Sequence, residues 1–219
     1  MPSRQIYARF LTWPALLLGL LFLAMLACSP AGGPFEEDFE SAGSWGTGSD
    51  ASAEGNVNNG RYELLVKEDL GLFWSTAGKD FGDGIFQVET IQLEGTEDNG
   101  YGMMLRVNSE TDDFYLFEIS SDGFVWIGRC TSGCETEATP IVESGWFESP
   151  AINRGLNSTN ILKVRAEGPN LIFFVNDVEV GRVSDPTFAK GDIGFLVETL
   201  GEGGVRIAFD NFKVLPLEE

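Results

Sequence analysis

Glu118 and Trp126 are the side chains of this sequence whose types and spacing come nearest to a binding site. Between them lies Ser121-Asp122-Gly123, which suits a three-residue hairpin loop with glycine in the left-handed region. In that register Ser120 faces Phe124, Ile119 faces Val125 and Glu118 faces Trp126, so the carboxylate and the indole share one face of a sheet. Arg106, on the preceding segment, has the phase opposite to Tyr101, Met103, Leu105 and Val107 and joins that face if the strand alternates regularly. An indole can stack on the C–H surface of a sugar ring while Arg and Glu hydrogen-bond its hydroxyls. Arg106, Glu118 and Trp126 are therefore the candidate ligand-binding residues. The same three could instead form a cross-strand ion pair beside an aromatic, covering the sheet. Trp45, Trp74 and Trp146 read as core or rim packing, and Tyr115, Phe117 and Ile119 as core.

Several chemistries are excluded by residue type. The chain has no histidine, which removes Ser-His-Asp and Cys-His catalysis and every histidine-based metal centre. It has no GxSxG, and Gly71 to Lys79 lacks P-loop spacing. Two carboxylates about 5 to 9.5 Å apart could still hydrolyse a glycosidic bond. Glu118 is one candidate member of such a pair, but its partner is not identified. Glu89 and Glu94 fall on opposite faces of one strand, and Glu135-Thr136-Glu137 lies beside a pair of cysteines.

Those cysteines, Cys130 and Cys134, flank Thr131-Ser132-Gly133 and are expected to form a small disulfide loop, since no second cysteine pair or histidine completes a metal site. So short a loop contributes mainly local rigidity. The formal charge is -20, a field that repels nucleic acid and anionic headgroups and excludes nucleic acid as a main partner. Asp98-Asn99, Asp112-Asp113, Asp83 and Asp185 sit in glycine-containing loops and offer the oxygen ligands a calcium ion takes. None matches EF-hand spacing. Calcium is a possible cofactor without an assigned site, and no other cofactor is indicated.

At the N-terminus, Arg4 and Arg9 precede an apolar run from Leu11 to Ala24 and then Met25-Leu26-Ala27-Cys28. A basic segment, an apolar core and a small residue before cysteine resemble a bacterial lipoprotein signal. In that class the cysteine is lipidated and becomes the new terminus, which assigns Cys28. Met25 and Leu26 depart from the usual leucine and small residue there. Cleavage near Ser29 or Ala31, or an uncleaved anchor of about 20 apolar residues, are the alternatives. The resemblance gives a signal peptide over residues 1–27, a lipidated cysteine and flexible tether over 28–34, and a place in the bacterial cell envelope, outside the cytoplasm and held to a membrane by lipid.

The elements that must position the candidate residues are strands. From Asn160 to Pro216, period-2 apolar runs alternate with turn residues, and Leu171 to Val175 meets Val178 to Val183 across Asn176-Asp177, a dipeptide suited to a tight hairpin. Similar runs are predicted at residues 35–39, 61–66, 72–76, 85–93, 101–107, 114–120, 124–130, 161–166, 192–199 and 205–215. No segment shows helical periodicity long enough for a helix. Val205, Ile207 and Phe209 share one phase whereas Phe212 and Val214 have the other, which predicts a bulge at Asp210-Asn211. Residues 35–217 thus form one all-β domain, a sandwich of two antiparallel sheets.

Glu37-Asp38-Phe39 with Trp45, Gly102 to Arg106, Tyr115 to Ile119 with Asp122-Gly123, Asn160-x-Leu162-x-Val164, Val175-Asn176-Asp177, Gly191-x-Ile193-Gly194 and Phe209-Asp210-Asn211-Phe212 together resemble the concanavalin A-like lectin/glucanase superfamily. More narrowly they are similar to its laminin-G-like and 3-keto-disaccharide hydrolase-type domains. The resemblance implies a jelly roll with paired terminal strands and a concave sheet that carries any carbohydrate site. Its catalytic glucanases place two Glu around an Asp on one strand, a pattern absent here. The expected function is a non-catalytic, lipid-anchored module binding glycan or another extracytoplasmic polymer. A glycoside hydrolase-like enzyme with dispersed carboxylates and a structural or adhesive protein-binding subunit are the alternatives.

Overall fold

The computed structural model describes residues 34–134 and 138–217. In chain order the strands are β1 (Phe35–Glu37), β2 (Gly48–Ser49), β3 (Ala53–Asn58), β4 (Arg61–Val66), β5 (Leu70–Thr76), β6 (Gly84–Glu94), β7 (Gly100–Asn108), β8 (Asp113–Ile119) and β9 (Phe124–Cys130). They continue with β10 (Thr139–Pro140), β11 (Phe147–Glu148), β12 (Thr159–Glu167), β13 (Asn170–Val175), β14 (Val178–Ser184), β15 (Asp192–Leu200) and β16 (Val205–Leu215). One 3₁₀ turn, Ser132–Cys134, is the only helical element among the described residues.

These strands make two antiparallel sheets. A nine-stranded sheet runs β14-β13-β12-β6-β16-β4-β3-β2, with β1 also on β16. A seven-stranded sheet runs β10-β9-β8-β7-β15-β5, with β11 also on β9. The two-sheet jelly roll expected from the alternation is therefore the architecture. The terminal strands pair as the resemblance implied, Phe35 opposite Val214 and Glu37 opposite Phe212.

Alternation dictates what lies between the layers. Tyr101, Met103, Tyr115, Phe117, Val125, Ile127, Phe195 and Val197 face inward from the smaller sheet and meet Leu64, Val88, Leu162, Val164, Phe173, Ile207 and Phe209 of the larger one. Full burial of such side chains contributes about 1.5–3 kcal/mol each. Phe195 is the hinge pin of this packing. Its ring stacks on Trp45 at 4.3 Å and on Phe209 at 4.5 Å, so one three-ring column joins both sheets.

Two local devices keep the apolar phase inward. The β16–β6 register shifts between Asp210 and Lys213, with Asn211 at φ 50. This is the expected bulge, and it lets Val205, Ile207, Phe209, Phe212 and Val214 all reach the core. At the β13–β14 hairpin, Asn176 and Asp177 have φ 51 and 65, as a primed turn requires. Strands β2, β3, β10 and β11 were not anticipated. Ala53–Asn58 reads Ala-Glu-Gly-Asn-Val-Asn without apolar alternation and is recruited by pairing with β4. Its one signal is Asn59-Gly60, the turn that closes the hairpin with φ 52 and 72.

Candidate functional site

The β8–β9 hairpin forms in the register read from its loop. Ser120 N–H donates to Phe124 O at 2.9 Å and Gly123 N–H to Ser120 O at 3.0 Å, with Gly123 at φ 106. Glu118 consequently stands opposite Trp126. On the other side of β8, Glu118 faces Gly102 of β7, which faces Leu196 of β15, which faces Trp74 of β5. The adjoining row carries Gly100, Glu198 and Leu72. Trp126, Glu118, Leu196 and Trp74 thus lie on the outer face of the seven-stranded sheet, where Leu196 joins Met104, Val107, Phe114, Leu116 and Cys130 in a second apolar cluster against which both tryptophans pack.

Glycine shapes the floor of this face. A side chain on Gly100 would place its Cβ 2.6 Å from Glu118 Oε1 and 3.3 Å from the rim of the Trp146 indole, so the carboxyl occupies space that only a glycine leaves free. The Trp126 indole lies over Gly128 in the same way. The disulfide between Cys130 and Cys134 forms as expected, with Cα atoms 5.0 Å apart, and its loop roofs part of the sheet.

Between that loop and the segment leading to β11 lies a cleft of about 820 Å³, lined by Trp74, Trp126, Trp146, Glu118, Glu198, Leu72 and neighbouring residues. A second hollow of about 310 Å³, bounded by Asp98, Ser120, Asp122 and Phe124, shares Trp146 and Leu200 with it. Together they make one groove across the end of the sheet. Neither part is lined by Lys or Arg.

Glu118 is the most unusual group here. It is 2 % exposed, and Oε1 has no hydrogen-bond partner among the described residues. Burial, and then the charge of Glu198, push its carboxyl well above the ordinary glutamate range. Burial raises Glu198 as well. The arrangement is a pair of acids in an aromatic cleft, able to donate a hydrogen bond when protonated and to neutralise a cation when ionised.

Arg106 is not part of it, which corrects the expectation from strand phase. The β7–β8 register shifts between Leu105 and Asn108, and Arg106 takes φ 54, so its side chain leaves the regular alternation. The guanidinium is buried and donates to Phe188 O at 2.7 Å, Gly168 O at 2.8 Å and Asp83 Oδ1 at 3.1 Å. It fastens three loops instead of lining the cleft, and no ion pair with Glu118 forms.

Glu198, Trp74 and Trp146 were missed as site residues. The strand phase held a signal for Glu198, because Ile193, Phe195 and Val197 point inward and Glu198 must point out. Trp45 is core, as expected. Of the loop residues considered for calcium, Asp83 binds Arg106 and Gly168 N–H, Asp185 binds Arg129, and Asn99 accepts from Leu200 N–H and donates to Thr96. No group of three or more acidic or cysteine side chains placed to hold a metal occurs among the described residues. The signal segment, Cys28 and Glu135-Thr136-Glu137 lie outside the described residues.

No protein-family model matches the chain, and no curated protein matches its sequence. Solved structures do resemble it. A carbohydrate-binding module, CBM66 from Bacillus subtilis, superposes with a TM-score of 0.62 at 17% identity, covering 78% of this chain and 95% of that one. A Bacillus licheniformis β-glucanase gives 0.60 at 11% identity, covering 85% and 100%. The Crh5 transglycosylase in complex with NAG gives 0.60 at 11% identity, covering 86% of each chain. The chain therefore has the concanavalin A-like jelly-roll fold shared by these glucanases and carbohydrate-binding modules.

Proposed function

We propose that this protein is an exported, lipid-anchored, non-catalytic module that binds a glycan chain in the groove on its seven-stranded sheet. The observation that carries the reading is that Trp74, Trp126 and Trp146 line one cleft together with Glu118. Flat aromatic faces with a few polar groups are what a saccharide needs. A cleft of about 820 Å³ lies within the range of ligand sites, and its continuation past Trp146 fits a chain of sugars better than a single one. The similar solved structures include a carbohydrate-binding module and glycan-acting enzymes, which supports the same ligand class. Lipidation of Cys28 rests on the signal pattern. Exchange of Cys28 for Ala should release the protein from the membrane fraction and abolish labelling by a fatty-acid analogue.

The test of binding is a glycan array probed with residues 34–217, with and without calcium. Specific capture that is lost in Trp126→Ala supports the reading, whereas capture unaffected by Trp126→Ala and Trp146→Ala together would sink it. Hydrolysis is the second reading, favoured by the Glu118–Glu198 pair and by likeness of the sequence to 3-keto-disaccharide hydrolase-type domains. Against it, the pattern of two Glu around an Asp on one strand, which the resembled glucanases use, is absent. Release of reducing ends by the wild type but not by Glu118→Gln would establish it.

A further inference from the structure

We propose that the glycan held in this cleft carries free amines, so that a protonated amino-sugar unit seats its ammonium between Glu118 and Glu198 and its ring on the tryptophans. The inference rests on the glycan-binding reading and names the class of sugar. Three observations converge on it. Glu118 is almost fully buried, lines the cleft and leaves Oε1 without a partner among the described residues. A desolvated carboxyl without a donor is costly, and an ammonium supplies both donors and the opposite charge. Glu198 lies in the next row of the same face and lines the same cleft, so a cation entering there meets two carboxyls.

The third observation is the surroundings. The lining holds three indoles and no Lys or Arg. Tryptophan faces attract ammonium groups, and an aromatic enclosure with acids at its floor is the usual means of holding a cation. A uronic acid or sulfated sugar would meet acidic side chains at Glu118 and Glu198 and again at Asp98 and Asp122 along the groove. A purely neutral sugar would bring no charge for the acid pair to meet. Burial also raises both carboxyls, and a bound cation would draw them back towards the ionised form.

The test is calorimetric titration of the full chain at pH 6 and 150 mM salt, which screens the overall negative field. The probes are a glucosamine hexamer with free amines, its N-acetylated counterpart, a neutral glucose hexamer and hexalysine, with tryptophan fluorescence followed in parallel. The free-amine hexamer is expected to bind at least tenfold more tightly than the other three, and Glu198→Gln to erase that ratio. A Glu118→Gln, Glu198→Gln double variant should do the same, the single variant standing in where the double one fails the circular-dichroism check. Equal affinity for the acetylated or glucose hexamer would overturn the amine assignment and leave glycan binding standing. Equal affinity for hexalysine would reduce it to charge attraction. Binding of none of the sugars would remove the glycan reading itself.

Discussion

Glu118 and Trp126 face each other directly across the β8–β9 pairing, the acid leaning over Gly100 and the indole laid over Gly128. Each therefore occupies room that a glycine on a neighbouring row or strand position provides. The pair shows how the site was built: large groups were placed where the sheet itself is bare.

Removal of the Trp126 ring is expected to weaken glycan binding by about 1–2 kcal/mol, roughly 5- to 30-fold. Trp126→Ala should stay folded by circular dichroism and show the loss in titration calorimetry. Trp45→Ala serves as the contrast. That ring belongs to the core column with Phe195 and Phe209, and its loss should cost about 3–5 kcal/mol of stability, read by urea denaturation.

A methyl group at position 100 should act on the site without harming the fold. In Gly100→Ala the new Cβ meets Glu118 Oε1, the end of a flexible side chain, at 2.6 Å, so the carboxyl swings away. A strand alanine offsets some of the strain through lower unfolded-state entropy, about 0.5–1 kcal/mol. The expected result is a melting temperature close to wild type with glycan affinity reduced at least tenfold, about 1.4 kcal/mol.

The buried acid makes stability depend on pH with a defined sign. Burial, then Glu198, raise the Glu118 carboxyl in the folded state. Below the unfolded-chain value of about 4.3 it is protonated in both states and costs nothing. As pH rises beyond that value the unfolded chain ionises first, so stability falls until pH passes the raised folded value. Thermal melts from about pH 4 to about pH 8 should show Glu118→Gln gaining on the wild type as pH rises. A constant difference across that interval would mean that the acid ionises freely in the fold.

Much of this molecule could be read from its residues, and the reason lies in locality. The Asn176-Asp177 hairpin, the β8–β9 register and the Asp210-Asn211 bulge are each fixed by neighbours in sequence. The opposition of Glu118 and Trp126 followed from one three-residue loop. The rest of the cleft depends on pairings between distant segments. Glu198 comes beside Gly100, and Trp74 beside Leu196, only because β15 inserts between β7 and β5. Strand order of that kind leaves no trace in alternation, so phase could tell that Glu198 pointed outward but not what it would meet. Arg106 failed for the opposite reason. One local twist, at φ 54, broke an alternation that the composition of β7 gave no cause to doubt.

Arg106 should accordingly behave as a strut. Its loss leaves Gly168 O, Phe188 O and Asp83 Oδ1 without their Arg106 donor, at a cost of about 3 kcal/mol. Arg106→Ala is expected to lower the denaturation midpoint while the folded fraction keeps wild-type glycan affinity. A selective loss of affinity at unchanged stability would return Arg106 to the site.

Strand β1 has a consequence for how the groove meets its surroundings. Because Phe35–Glu37 is sewn to β16, whatever precedes Pro34 joins the domain on one layer while the tryptophans look out from the other. The proposed tether at that leading end would thus hold the domain by its back and leave its open palm towards incoming polymer.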